Sequence, residues 1–256
     1  MKKHKICKIL LVILAIFLCV AFYELLGICV AYKKQPEVSN TTKKETKNGS
    51  WNECSENTER AVIIEKNPEA LLQRVRLIKN AKKEIILSTF AFQSDESGKL
   101  ILGALHDAAD RGVHIRLLVD GMESWIDMEG NPYFYGLSSH ENVEIKLYNK
   151  ANPLKPWKMM GRMHDKYLIA DGKRYILGGR NTYNYFLGDF PGHKNYDRDV
   201  LVVCDEPEKE NSVNQLLEYF ETIWEQEDSG YFHDNKKLAN RKSVKNAVLE
   251  LQNGYQ

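Results

Sequence analysis

From Ile9 to Tyr32 the chain reads ILLVILAIFLCVAFYELLGICVAY, interrupted by one charge at Glu24. Backbone amides in hydrocarbon must find partners within their own segment, so in a bilayer such a run folds only as a helix. It is long enough to cross a hydrocarbon core of about 30 Å. Lys2, Lys3, Lys5 and Lys8 precede it, and Lys33 and Lys34 follow. A cleaved signal peptide is the rival reading, but the apolar stretch is long and no small-x-small cleavage site closes it. Residues 1–34 are therefore expected to form a single-pass signal anchor in a membrane. The positive-inside rule favours a cytoplasmic N-terminus and an extracytoplasmic domain, an asymmetry diluted by Lys43, Lys44 and Lys47. Glu24 fits either a helix partner or a place near the interface.

Residues 35–59 have almost no apolar periodicity and read as a flexible linker. Beyond them the pattern changes. Ala61–Glu65 reads as a strand, followed by Asn67 as an N-cap and Pro68 at the first helical position. The helix they open would bury Leu71, Leu72, Val75 and Ile78. Ile85–Phe92 is apolar on both faces, as a central strand should be. The next helix carries Leu100, Ile101, Ala104, Leu105 and Ala108 at helical spacing and stops at Gly112. Val113–Asp120, Val143–Asn149 and Asp199–Cys204 are further strands, and a last helix from near Pro207 would bury Val213, Leu216, Leu217, Phe220, Ile223 and Trp224. Strand and helix alternate, which predicts an α/β domain over residues 60–228 with a mixed, largely parallel sheet flanked by helices. Residues 229–256 read as a polar tail with one helical piece at SVKNAVLELQ.

Charged residues are 28% and hydrophobic ones 43%, too apolar for a disordered chain. The net charge of +1 lacks the basicity of a non-specific nucleic-acid binder. Local charge says more. Lys146 to Arg180 holds nine Lys/Arg against Asp165 and Asp171, a net of +7, which suits an anionic, phosphate-bearing substrate. Asp205 to Asp228 holds nine acids against Lys209, a net of −8, most simply a solvated helix face. Cys7, Cys19, Cys29, Cys54 and Cys204 have no metal-ligand spacing, so neither a disulfide framework nor a metal site is expected.

Within the basic stretch lies RMHDKYLIADGKRYILGGRN, Arg162 to Asn181. Side chains alternate along a strand, which places His164 and Lys166 on one face and Asp165 on the other. Asp171-Gly172-Lys173 supplies turn chemistry, and Tyr175 to Leu177 return as the partner strand. Gly178 and Gly179 permit a close backbone approach, and Asn181 sets an amide beside it. An imidazole can act as a nucleophile, an ammonium can neutralise a phosphate oxygen, and an amide NH₂ can donate to another. Attack on a phosphodiester would give a phosphohistidine, and a second histidine must then protonate the leaving alkoxide. The chain holds one such constellation.

The pattern H-x-K-x4-D-x6-G-G-x-N, filled by His164, Lys166, Asp171, Gly178, Gly179 and Asn181, resembles the signature of the phospholipase D superfamily. GGRNTYNYF and NYDRDVLVV extend the likeness toward its cardiolipin synthase branch, across about residues 60 to 226. The resemblance implies His164 as covalent nucleophile and Lys166 and Asn181 as a phosphate clamp beside Gly178 and Gly179. Asp171 completes the catalytic motif, better viewed as its structural support, and Asp197 or Asp199 would stand behind an imidazole to orient it. No metal and no cofactor is expected. Such enzymes use two motifs about a pseudo-two-fold axis, so the chain resembles an N-terminal half. It would pair as a homodimer or with a partner supplying the second motif, and residues 229–256 could serve as an inter-half linker.

The function implied is phosphatidyl transfer or phospholipase D hydrolysis on an anionic phospholipid at the bacterial cell membrane. A homodimeric phosphodiesterase acting on nucleic acid is the rival, disfavoured by the anchor; a half that binds anionic lipid or a partner chain without turnover is the third. Elsewhere, His114 reads as a hydrogen-bonded strand histidine, and His106 and His140 as solvated. His193 lies near the motif in sequence. KPWKMMGR, Lys155 to Arg162, suits lipid headgroups or a basic loop over a phosphate pocket.

Overall fold

The computed structural model describes residues 2–33, 39–41, 43–44, 59–206, 211–233 and 236–255. Most of the expected linker, and the expected helix start at Pro207, lie outside the described residues. Two compact units divide the chain: Met1–Ser55 with Ala151–Arg162, and Glu56–Lys150 with Met163–Gln256.

In the first unit the apolar run forms helix α1, Lys2–Lys33. Its stretch His4–Ala31 is long and apolar enough to cross a membrane. Bulky side chains on every side of it are exposed, Leu11 at 64% and Phe17 at 67% among them, so it has no protein core of its own to enter. A short turn of 3-10 helix, Pro156–Lys158, packs against α1.

The second unit is one eight-stranded sheet with helices on both faces. Its strands are β1 (Glu59–Ile64), β2 (Glu84–Thr89), β3 (His114–Asp120), β4 (Val143–Tyr148), β5 (Lys166–Ala170), β6 (Arg174–Gly178), β7 (Asp199–Cys204) and β8 (Ser229–Tyr231). They lie in the order β1-β7-β6-β5-β2-β3-β4-β8. Only β2–β3 and β3–β4 are parallel, the other five pairings being antiparallel. The sheet is thus mixed, as expected, but mostly antiparallel rather than largely parallel. The reason lies in the hairpin β5–β6, which enters the sheet between β2 and β7 and reverses the direction of the strands around it.

The helices are α2 (Asn67–Asn80), α3 (Glu96–Asp110), α4 (Gly121–Asp127), α5 (Pro132–Ser138), α6 (Ser212–Trp224), α7 (Lys236–Ala239) and α8 (Lys242–Tyr255). Strand alternation divides the core in two. Ile85, Leu87, Leu117 and Leu168 join Ile78, Leu102, Leu105 and Phe134 on the face covered by α2, α3, α5 and α8. Ile86, Leu118, Tyr167 and Ile169 meet Val213, Phe220 and Trp224 of α6 on the other.

Two expectations change at α2. Lys66, not Asn67, precedes the helix, and Asn67 is buried with its amide donating to the Asn195 carbonyl. The inward face holds Ala70, Leu71, Arg74, Leu77 and Ile78, whereas Leu72 is 46% exposed. Arg74 rotates that face because its guanidinium has a buried carboxylate to meet, Asp199 at 2.9 Å. The polar tail is likewise structural. β8 pairs with β4, and α8 packs on α3 and α5, burying Val244, Ala247 and Leu251.

Candidate active site

β5 and β6 are central strands, and their register brings Lys166 and Gly178 to one end of the sheet. Lys166 opens β5 opposite Thr89, the last residue of β2, and Gly178 closes β6 opposite Asp199, the first of β7. The chain then crosses back over the same end, where Thr182 bridges to Phe92.

His164 stands just before β5 and is exposed, its ring edge-on to Phe90 with centroids 4.7 Å apart. Lys166 is buried, its Nζ donating to the His164 carbonyl at 2.7 Å and lying 5.3 Å from the centre of the same Phe90 ring. The imidazole and the ammonium therefore share one aromatic neighbour. Burial lowers the Lys166 pKa, opposed by the charges of Asp165 and Asp197. Asp165 turns away toward α6, where it accepts from the Tyr219 hydroxyl at 2.9 Å; burial and that carboxylate push the Tyr219 phenol up to about 12.

Asn181 is buried near the same end, its Oδ1 accepting from the Ala91 N–H at 3.3 Å, which turns its NH₂ the other way, toward the Tyr183 hydroxyl. The two glycines do allow a close approach, and it is made by the protein itself. A Cβ at Gly178 would meet the Arg198 carbonyl at 2.7 Å, and one at Gly179 the Asp197 Cγ at 2.6 Å. Asp197 is exposed. Asp199 is buried between two arginines, its Oδ2 meeting Arg74 at 2.9 Å and Arg180 at 3.2 Å, while Oδ1 is buried without a hydrogen-bond partner.

Asp171 lies at the other end of β5. It adopts φ +55° in the hairpin turn and accepts backbone N–H groups of Lys82, Lys83 and Glu84 at 2.7 to 3.1 Å. It lies five residue steps along the strand from Lys166, about 17 Å. It holds the hairpin to the entry of β2 and is out of reach of anything His164 touches.

Three supporting residues escaped the sequence reading. Asp120 caps α4 with Oδ1, accepting from Met122 and Glu123, while Oδ2 accepts from the Met163 N–H at 3.1 Å, fixing the residue before His164. Arg180, 1% exposed, donates to the Asn67 side chain and to the carbonyls of Ile64, Glu65 and Asp197. Phe90 is the third. Only Asp120 carried a signal, as an acid at a strand end before a helix.

Other histidines are engaged elsewhere. His114 meets Glu144 at 2.9 Å, as its strand position suggested. His106 is buried rather than solvated, because the loop before β4 brings His140 onto it and Asp110 binds both. His193 packs against Tyr185 with their rings tilted, and His233 meets Glu129. A cavity of about 420 Å³ beside His106 and His140 contains none of the motif residues; one of about 500 Å³ lies against Glu65, Tyr196, Asp197 and Arg198. No group of acids, histidines or cysteines that could hold a metal occurs among the described residues.

The class these features define is an α/β domain with an imidazole, an ammonium and an amide gathered at the strand ends of a mixed sheet. The chain belongs to the phospholipase D superfamily: the family described as "Cardiolipin synthase, PLD-like domain" matches residues 74–224, more than half its length. It is 29% identical over 171 residues to cardiolipin synthase C of Escherichia coli, covering 61% of this chain and 34% of that one. An uncharacterized Helicobacter pylori protein is 31% identical over 206 residues, 75% of this chain and 38% of that one. The chain thus spans little more than a third of the length of these relatives. NucT from Helicobacter pylori shares the fold at a TM-score of 0.53 and 16% identity, over 68% of this chain and 99% of that one. Phosphatidylserine synthase of Haemophilus influenzae does so at 0.56 and 16%, over 85% and 48%.

Proposed function

We propose that the chain is a membrane-anchored phosphatidyltransferase of the cardiolipin synthase type, with His164 as nucleophile. The observation that carries this reading is the pairing of an exposed imidazole with the Lys166 ammonium around Phe90. His164 would attack phosphorus as the bond to the leaving alkoxide breaks, and a second imidazole would give that alkoxide its proton. The same second imidazole, now neutral, would take the proton of an acceptor alcohol as its oxygen displaces His164 from phosphorus. Lys166 and Asn181 would hold two phosphoryl oxygens through both steps. Water as acceptor gives hydrolysis instead.

The second imidazole would come from another copy of the chain or from a partner with its own motif. The sequence holds one such motif, and the chemistry needs two imidazoles. The same need keeps alive a homodimeric phosphodiesterase acting on nucleic acid. Purified full chain in detergent, assayed with phosphatidylglycerol and with single-stranded DNA, separates the two. We expect glycerol release or cardiolipin formation, abolished by His164→Ala; cleavage of DNA alone would replace the first reading with the second.

A further inference from the structure

The first unit joins α1 to the stretch that leads toward His164. Tyr23 donates its hydroxyl to the Leu154 carbonyl at 3.0 Å. One turn on, Gly27 is buried, and a Cβ there would meet the Pro156 ring at 2.7 Å and the Trp157 nitrogen at 3.2 Å. Glycine at this point lets the loop lie directly on the helix backbone. Around these contacts Leu154 is 78% exposed, Met160 55% and Trp157 45%, at the level where α1 itself exposes Leu25, Leu26 and Val30. Lys155, Lys158 and Arg162 alternate with them.

Non-helical backbone does not face lipid within hydrocarbon. If α1 spans a bilayer, the hydrocarbon must therefore end near Tyr23. Ile6 to Phe22 then provides about 25 Å of apolar helix, close to the thickness required once Lys5 and Lys8 reach outward. Tyr23 falls at the depth where tyrosine and tryptophan concentrate. From Tyr23 to Val30 the helix rises about 10 Å, the depth to which interfacial elements bury their apolar side chains.

We infer that Leu154–Arg162 is a membrane-seating loop: its Leu154, Trp157 and Met160 enter the boundary of headgroups and acyl chains, and its cations bind anionic phospholipid headgroups. The inference rests on α1 as a membrane span and deepens the proposed function. One residue, Met163, separates Arg162 from His164, so connectivity alone keeps the backbone of His164 within about 7 Å of the seated loop.

The test uses full-length chain in nanodiscs containing phosphatidylglycerol, carrying Trp51→Phe and Trp125→Phe. Trp157 and Trp224 then remain, and Trp224, 4% exposed in the second unit, is the internal reference. Lipids brominated near the headgroup should remove about half the emission, one indole of two lying in the interface. Adding Trp157→Phe should abolish the quenching, and Lys155→Glu with Lys158→Glu should reduce it in phosphatidylglycerol discs but not in zwitterionic ones. Quenching that survives Trp157→Phe, or none in discs that contain the protein, overturns the loop and leaves the transfer chemistry standing. A chain that does not enter discs overturns the loop and the anchor together, while His164-dependent turnover in detergent would still judge the chemistry.

Discussion

Lys166 is an ammonium placed where water reaches it poorly, and the cost of burying its charge exceeds the help from Asp165 and Asp197. Its proton therefore leaves at a lower pH than that of an ordinary lysine. The charge is present below that pKa and lost as pH rises through it; a bound phosphate anion acts the other way and restores it. Titration of Nζ by ¹⁵N NMR should give a midpoint below that of exposed lysines, moving up on addition of inorganic phosphate. A midpoint in the ordinary range would end this account. Asp199 presents the opposite case, a carboxylate hidden between Arg74 and Arg180. Asp199→Ala leaves two guanidinium groups facing each other without a counter-charge, at a cost of about 3–5 kcal/mol. Urea unfolding should show the unfolding free energy fall by that amount, whereas a loss of activity with unchanged stability would mean the aspartate acts on substrate.

Among the elements, α4 and the entry to β5 depend on one side chain. Asp120 spends one oxygen on the first turn of α4 and the other on the Met163 amide. Asp120→Asn can keep the cap but then sets an NH₂ against an N–H, and the residue before His164 must shift. We expect kcat/KM to drop roughly ten- to a hundred-fold with little change in stability, read from steady-state kinetics beside urea unfolding. The hairpin was legible because its spacing is local: strand alternation and an Asp-Gly turn need only neighbours. Sheet direction was not, since it depends on β5–β6 pairing with β2 and β7, strands far away in the chain. Nothing local marks Arg74 as buried, because its partner lies 125 residues on. The tail's helix could be read from SVKNAVLELQ, but not that α3 and α5 would cover it. Phe90 looked like any strand residue.

For the whole molecule, the proposed pairing of two copies makes a numerical demand. Each composite site would need an intact His164 from both subunits. Co-expression of equal amounts of wild-type and His164→Ala chains should leave about a quarter of the wild-type specific activity if subunits mix at random. About a half would mean that each copy works alone. The sheet order also restricts how copies can meet. β5 is fourth from the β1 edge, and strands lie about 4.8 Å apart, so joining two β1 edges into one continuous sheet would leave the two β5 strands about 34 Å from each other. No phosphodiester bridges that gap. A productive dimer has to be built end to end, tip of strand facing tip of strand, and a crystal form in which the chains merely extend one another's sheets would be a resting assembly.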